Sequence, residues 1–447
     1  MRLISTRPPH HEVSLRQAVL EDPSPDGGLY LPISLPRLPA EEVSALAGVP
    51  FPVLAERLAL RLFEPSIGRR AVERIVESAF DFPAPLVQLD EDTWILELFH
   101  GPTGSFKDFG ARFLACLLSV LRKPDEGPVI ILVATSGDTG GAVAHAVRGL
   151  EGVRAMVLFP RDWLSPVQLR QIKEPAWGEV REDEGVIPVE VDGTFDDCQR
   201  MVKEVLARPG PDIRAMLTSA NSVNIGRLLP QAFYYAQGWN ALPSEARKHP
   251  VCSVPTGNLG NLTAGVIARR MGIPLGHFIA ASNANAAMSR FLEAGTLPAG
   301  PSLKTVASAM DVARPSNLER LIAIFDGNVE ALQAWITPTR HEDEEVLEVM
   351  GRVRRDSDYL FDPHSAVGYL GLELHRSSHP RAPGMILSTA DPAKFPDTVL
   401  RATGSLPPER NDWQSADEAD ASASSRTSAT VQLGSDPESL RALLREQ

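Results

Sequence analysis

Leu98-Phe99-His100-Gly101-Pro102-Thr103-Gly104-Ser105-Phe106-Lys107-Asp108-Phe109-Gly110 sets a lone lysine between two apolar runs. The run before it, Trp94 to Phe99, reads as a strand, and the run after it, Ala111 to Leu121, reads as a helix. Gly, Pro, Thr and Ser crowd the loop that joins them. A cation at a helix start works mildly against the helix dipole, so solubility explains Lys107 poorly. Chemistry explains it better. An amine held in a dry, shaped pocket is lowered in pKa and can form an imine with a carbonyl cofactor.

Outward from this stretch, strands and helices alternate. Pro128 to Val133 is a short β-branched run that reads as a buried strand, followed by the loop Ala134 to Thr139 and a helix from Gly140 to Arg148. A strand Arg154 to Phe159, a pair Val186 to Val191 and Phe195 to Ala207, and a pair Val251 to Pro255 and Leu262 to Arg270 continue the pattern. Such alternation predicts an α/β fold with parallel sheets covered on both faces. Residues 1 to about 90 read instead as a Pro-punctuated leader with helices at Glu41 to Leu46, Ala55 to Phe63 and Ala71 to Phe80. Asp412 to Thr430, rich in Ser, Ala and Asp, reads as a flexible linker, and the cap-like Ser435-Asp436-Pro437-Glu438 before Leu440, Leu443 and Leu444 fits equally a last short helix docking onto the body and a solvated tail.

Composition bounds the function. At 447 residues the chain needs two or three packed subdomains, and 43% hydrophobic with 23% charged residues is ordinary for a globular protein. A formal net charge of −13 argues against a nucleic-acid partner. No run approaches membrane-spanning length, and the first residues carry no signal-peptide pattern. Three scattered cysteines give neither a disulfide framework nor metal-ligand spacing, so a reduced, cytoplasmic protein without a bound metal is expected.

Two further loops follow the carboxyl ends of strands, where α/β proteins bind ligands. Ala134-Thr135-Ser136-Gly137-Asp138-Thr139-Gly140-Gly141 offers hydroxyls and backbone N–H groups at a helix opening, a cradle for an anion. Pro255-Thr256-Gly257-Asn258-Leu259-Gly260-Asn261-Leu262 lets backbone approach a phosphate closely, with a helix end behind it. Neither is a G-x-G-x-x-G fingerprint, and Lys107 is not in a Walker-type loop, which weakens NAD and ATP readings. Either loop alone could be turn chemistry. With Lys107 they supply an imine-forming amine, a phosphate cradle and a carboxylate cradle, the parts needed to hold pyridoxal phosphate and an amino acid.

These segments resemble the threonine synthases, among the tryptophan-synthase-β-like, fold type II pyridoxal-phosphate enzymes. The resemblance runs from Asp26-Gly27-Gly28-Leu29-Tyr30 to Pro392-Ala393-Lys394-Phe395, through His100-Gly101-Pro102-Thr103, Phe106-Lys107-Asp108-Phe109, Ser219-Ala220-Asn221-Ser222-Val223-Asn224, Ala309-Met310-Asp311-Val312 and Asp362-Pro363-His364. It implies two parallel-sheet α/β domains with a cofactor cleft between them. Residues 1–95 would form an N-terminal subdomain, 96–404 the catalytic core with a small domain at about 110–215 inserted in the large one, and 405–447 the linker and last helix. The cofactor would be pyridoxal 5'-phosphate, bound by Lys107, with Gly257, Asn258, Leu259, Gly260 and Asn261 on its phosphate, Asp138 near its phenolic oxygen and Thr389 at its ring nitrogen. Thr135, Ser136 and Thr139 would receive the substrate carboxylate, and Asn221, Ser222 and Arg227 its phosphate.

The implied reaction turns O-phospho-L-homoserine and water into L-threonine and phosphate by β,γ-replacement, the last step of threonine biosynthesis, in a monomer or homodimer. A phospho-lyase or a threonine/serine dehydratase on the same scaffold is the alternative. Read without the family, Arg227 is a surface helix cap paired with a carboxylate; Asp311 and His364 lie in matching segments and fit either a supporting role behind the site or plain hydrogen-bonded packing. Gly104-Ser105, Leu259 and Asp391 depart from the usual long-chain pattern, and Lys173 to Gly185 (with Trp177, Glu182, Asp183 and Glu184) reads as a surface loop.

Overall fold

The structure, a computed structural model, describes residues 1–173, 185–296, 300–410 and 430–447. The acid-bearing stretch around Trp177 and the expected linker, except Thr430, lie outside these residues.

Three sheets organise the chain. Strands β1 (Arg2–Ser5), β2 (Glu12–Ser14) and β3 (Tyr30–Pro32) make a small antiparallel sheet in the order β2-β1-β3. Strands β4 (Leu86–Gln88) and β5 (Thr93–Glu97) join β10 (Val251–Pro255), β11 (His277–Ser282), β12 (Ile336–Arg340) and β13 (Gly384–Ser388) in a six-stranded sheet, ordered β12-β11-β10-β13-β5-β4. Only β4 runs antiparallel there. Strands β6 (Val129–Ala134), β7 (Val153–Pro160), β8 (Val186–Asp192), β9 (Met216–Ser219) and β14 (Val431–Gly434) form an all-parallel sheet ordered β14-β8-β7-β6-β9. The expected pair of parallel-sheet α/β domains with an N-terminal subdomain is what the chain adopts. Every residue of Val129-Ile130-Ile131-Leu132-Val133-Ala134 is buried, as a parallel strand covered by helices on both faces requires.

The leader differs from its reading. Strands β1 to β3 are three or four residues long, and their partners lie elsewhere in the chain, so local periodicity does not reveal them. The helices Phe51–Ile67 and Arg69–Ala79 are present and longer than their apolar runs. They pack phenylalanines onto the helix that carries Lys107. Phe51 meets Phe109 edge-on with ring centroids 5.6 Å apart, and Phe63 meets Phe113 at 5.0 Å. Contacts of this kind each add about 0.5–1.5 kcal/mol beyond burial.

That helix spans Lys107–Leu121, so Lys107 sits in its first turn and not in the loop. Gly110 hides the early start, because glycine lowers helix propensity. Its role is space: a Cβ there would stand 2.7 Å from the Arg227 carbonyl oxygen. The last helix, Pro437–Arg445, docks and is no solvated tail, burying Leu440 and Leu444 against the helix Phe195–Ala207. Before it, β14 adds an unforeseen edge strand beside β8, which ties the chain's end into the five-stranded sheet.

Candidate active site

The carboxyl ends of β5, β13 and β10 in one sheet and of β6 and β9 in the other converge on one cleft of about 1260 Å³. Every residue expected in the site lines it, from Lys107 and the Thr135 loop to Arg227, the Gly257 loop and Thr389.

Lys107 is placed by the turn before it. Asp108, fully buried, accepts from the Thr103 amide at 2.9 Å and from the Thr103 hydroxyl at 2.7 Å. Gly101 leaves the room, since a Cβ there would lie 2.5 Å from the Asp108 carboxylate. Gly104, at φ 64°, takes the left-handed turn that aims the chain into the cleft. Lys107 Nζ then stands 3.4 Å from Asp138 Oδ2 and 5.0 Å from the Phe106 ring centroid. Burial pushes its pKa down; Asp138 opposes this, while Lys394 and Arg227 add to it.

Asp138 opens the helix Asp138–Val147. Burial alone would raise its pKa, but Lys394 and Lys107 outweigh burial and hold the carboxyl well below the usual range. Lys394 Nζ reaches Asp138 Oδ1 at 2.8 Å, and Gln168 Nε2 donates to the same oxygen at 3.2 Å. The glycines around Asp138 serve packing as much as anion access. A Cβ on Gly137 would meet Gln168 Nε2 at 2.7 Å, and one on Gly141 would meet Gln171 Oε1 at 3.0 Å. Thr135 turns inward: its hydroxyl donates to Gly137 O at 2.8 Å and accepts from the amides of Gly137 and Gly140. It shapes the loop, which leaves Ser136 and Thr139 with the more open hydroxyls of that cradle.

The second cradle opens the helix Gly260–Arg270, whose first N–H groups have no intrahelical partner. Leu259 caps it in the left-handed region at φ 60°. Gly257 must be glycine, because a Cβ would lie 2.9 Å from Met310 Cα. Asn261 Oδ1 accepts from Tyr234 at 2.7 Å and Tyr235 at 2.8 Å, while its buried Nδ2 finds no protein acceptor. His364 steadies the facing turn by accepting from the Ala309 amide at 3.1 Å, which puts its ring proton on Nδ1 toward Asp362 at 2.7 Å. Asp311 is taken up by Asn283, Asn285 and Thr305, so it pins a loop.

Arg227 is not a surface cap. It is 5% exposed, gives Nη1 to the Ala220 carbonyl, and has a buried Nε without a partner. Burial pulls its pKa down to about 10. A buried guanidinium facing a cleft with an unused donor fits an anionic ligand. Asn221 and Ser222 lie beside it on the lining. Behind them the wholly buried Arg320 fastens this loop, giving Nη1 to Ser222 O at 3.3 Å, Nη2 to Val223 O and Nε to Tyr30 O at 3.0 Å. Thr389 follows β13 and lines the cleft, its amide bonded to Ser365 Oγ at 3.1 Å.

Sequence reading missed Lys394, Arg320, Gln168, Gln171 and the Tyr234–Tyr235 pair. Their bonds run to residues distant in the chain, and only Lys394 carried a signal, as part of Pro392-Ala393-Lys394-Phe395 after a strand. The donors present suit a phosphorylated aldehyde: a buried amine, a helix-end phosphate cradle and an orphaned Asn261 amide. Among the described residues no group of His, Cys, Asp and Glu could hold a metal ion, and no helix is long and apolar enough to cross a membrane.

Three family patterns match the chain: a pyridoxal-phosphate dependent enzyme pattern over residues 79–388, a threonine synthase N terminus over 2–80 and a threonine synthase C-terminal pattern over 365–431. The threonine synthase of Serratia marcescens is 37% identical over 406 residues, covering 90% of this chain and 91% of that protein. The Escherichia coli K12 threonine synthase is 37% identical over 412 residues, covering 92% and 93%. In three dimensions the chain superposes on pyridoxal-phosphate-bound threonine synthase from Brucella melitensis with TM-score 0.87 and 32% identity, covering 100% of this chain and 99% of that one.

Proposed function

The chain belongs to the threonine synthases of the pyridoxal-phosphate-dependent enzymes, and from that premise we propose how its own residues carry the reaction. The protein is an enzyme that uses pyridoxal 5'-phosphate to convert O-phospho-L-homoserine and water into L-threonine and phosphate. The observation that carries the substrate assignment is Arg227, a buried guanidinium with an unpartnered Nε on the cleft wall. A dehydratase acting on free threonine has no phosphate for it to meet.

Lys107 is the amine that takes the cofactor's aldehyde. Once bound, the cofactor supplies an electron sink for carbanions next to the substrate amine. Burial and the neighbouring Lys394 and Arg227 favour neutral Lys107, so it can take protons at the substrate's Cα and Cβ and return them. The Gly260 helix end, with Gly257, Asn258, Leu259 and Asn261, holds the cofactor phosphate. Thr389 would meet the cofactor's ring nitrogen with a neutral hydroxyl, and Asp138 would stand near its phenolic oxygen. Ser136 and Thr139, on the loop that Thr135 shapes, receive the substrate carboxylate. Asn221, Ser222 and Arg227 hold the leaving phosphate, with Arg227 steadying its charge through charge-assisted bonds. Approach of the two sheets excludes bulk water, which would otherwise protonate carbanionic species.

The same reading assigns residues 1–95 to the N-terminal subdomain and 96–404 to the core with its insertion at about 110–215. Residues 405–447 are an appendage to the core; the β14–β8 pairing supports counting its end with the small domain. A cytoplasmic, biosynthetic role as monomer or homodimer accords with the family. Incubation of the cofactor-loaded enzyme with O-phospho-L-homoserine tests the function: equimolar threonine and phosphate are expected, and 2-oxobutyrate without threonine would overturn it.

A further inference from the structure

Asp138 is held from two sides by amines on different parts of the fold. Lys107 comes from the first turn of the helix that follows β5, and Lys394 comes from the turn after β13. Lys394 is 2% exposed, and its ammonium spends three donors on three acceptors: Asp138 Oδ1 at 2.8 Å, Thr103 O at 2.7 Å and Gln171 Oε1 at 3.2 Å. Asp138 and Gln171 stand on helices that flank the five-stranded sheet, whereas Thr103 and Lys394 follow the carboxyl ends of β5 and β13 in the six-stranded one. Gln171 Nε2 returns to Thr103 O at 3.2 Å and closes the network. Lys394 does not line the cleft; it stands behind Asp138.

We propose that Lys394 is a positioning residue for the reaction: by anchoring Asp138 Oδ1 to the Thr103 turn, it fixes Asp138 Oδ2 beside Lys107 and ties the two sheets together at that point. The inference rests on the reading of Lys107 as the cofactor-bearing amine. The anchor has two consequences, and charge sets the first. One Asp138 carboxylate shared between two cations neutralises Lys107 less than a private partner does, so the lysine nitrogen keeps its proton less firmly. Geometry sets the second. Without the anchor, Asp138 and its helix start are free to shift, and displacement of about 1 Å in a catalytic group can lower turnover by about 10²-fold.

The charged and titratable groups facing this nitrogen and its partner are Asp138, Lys394, Arg227 and His364, with Asp108 beneath Lys394. Removing the Lys394 charge leaves Asp138 to Lys107 alone. The pH midpoint of the visible absorbance of the cofactor bound at Lys107 should then rise by roughly one to three units.

The experiment compares native protein, Lys394→Gln and Lys394→Arg, each loaded with pyridoxal 5'-phosphate. It reads cofactor affinity by equilibrium dialysis, the pH midpoint of the visible band without substrate, and kcat and KM for O-phospho-L-homoserine. Lys394→Gln should keep cofactor affinity within about tenfold, raise the midpoint and lower kcat by about 10²-fold with a smaller change in KM. Lys394→Arg should return the midpoint toward the native value. A Lys394→Gln protein with native midpoint and kcat, changed only in thermal stability, would reduce Lys394 to a packing residue and overturn the proposal. Should Lys394→Gln not fold, Lys394→Arg decides: a native midpoint supports the role of charge, and a displaced one refutes it. Native protein without a visible band, or without phosphate release, would instead overturn the functional reading itself.

Discussion

The amide of Phe106 donates to the carbonyl of Thr389 at 2.9 Å, joining the loop before Lys107 to the residue after β13. Ser105 and Ala390 form an antiparallel bridge beside it, and the Asp391 amide donates to Gly104 O at 3.0 Å. Backbone bonds therefore fix the distance between the amine and the hydroxyl proposed to flank the cofactor ring. Asp391 uses its carboxylate on the Ala393 amide at 2.9 Å and on Arg410 at 3.4 Å. That is a structural task at the site's edge.

Lys107→Ala should abolish the visible absorbance of the pyridoxal-phosphate-loaded protein and cut turnover by on the order of 10⁴-fold or more. Thermal stability should hold, because the substitution removes a buried amine and leaves the Phe106–Thr389 pairing intact. Absorbance spectra and a melting curve check both. A variant retaining the band would place the cofactor on another lysine.

Arg227→Met separates function from stability. The native guanidinium is buried with an unpartnered Nε, a configuration that destabilises the empty protein. The variant should melt at or above the native temperature yet raise KM for O-phospho-L-homoserine by about 10²-fold or more. In cofactor-loaded protein, inorganic phosphate should raise the native melting temperature but not that of the variant. Equal protection of both would move the substrate anion elsewhere.

Gly140→Ala should destabilise the protein by about 1–3 kcal/mol, the usual result of overpacking. The added Cβ would meet Thr135 Cγ2 at 2.5 Å, Val157 Cγ1 at 2.9 Å and Ile172 Cδ1 at 3.0 Å, all inside packed surroundings. Gly434→Ala is the control, since nothing stands within 4 Å of its Cβ. Chemical denaturation midpoints measure the pair, and equal behaviour would discount the packing argument.

His145 and His277 should make the fold acid-sensitive. Burial, aided by Arg112 and Arg148 in one case and by His375, Arg269 and His379 in the other, pushes both down to about 4. Asp81 opposes the shift at His145. The unfolded chain binds these protons near pH 6.5, so between about pH 6.5 and 4 it holds more protons than the folded one. Stability should fall as pH drops through that window and be flat for these groups above it. Denaturation series on native protein, His145→Gln and His277→Gln test this; native and variant slopes that coincide would remove the histidines from the account.

Local chemistry was legible because it is written in contiguous segments. The strand Val251–Pro255 and the helix Phe195–Ala207 fall where their patterns put them, since buried parallel strands and amphipathic helices carry unmistakable periods. Helix starts at Lys107, Asp138 and Gly260 were read late by up to four residues, because glycines needed for close packing mask the first turn. The small N-terminal sheet and β14 escaped for another reason: a strand of three or four residues has meaning only beside its partner.

By itself the sequence determined the alternation that makes two parallel sheets, the lysine near a helix start and the two glycine-rich loops, and through them the family. Each is a property of neighbours in the chain. Tertiary structure alone decided that Arg227 is buried with a donor to spare, that the glycines around Asp138 make room for Gln168 and Gln171, and that Asp138 is shared between Lys107 and Lys394. Those facts arise where the ends of two sheets meet. Lys107 and Lys394 are neighbours only because β5 and β13 lie side by side, a juxtaposition that no local pattern encodes.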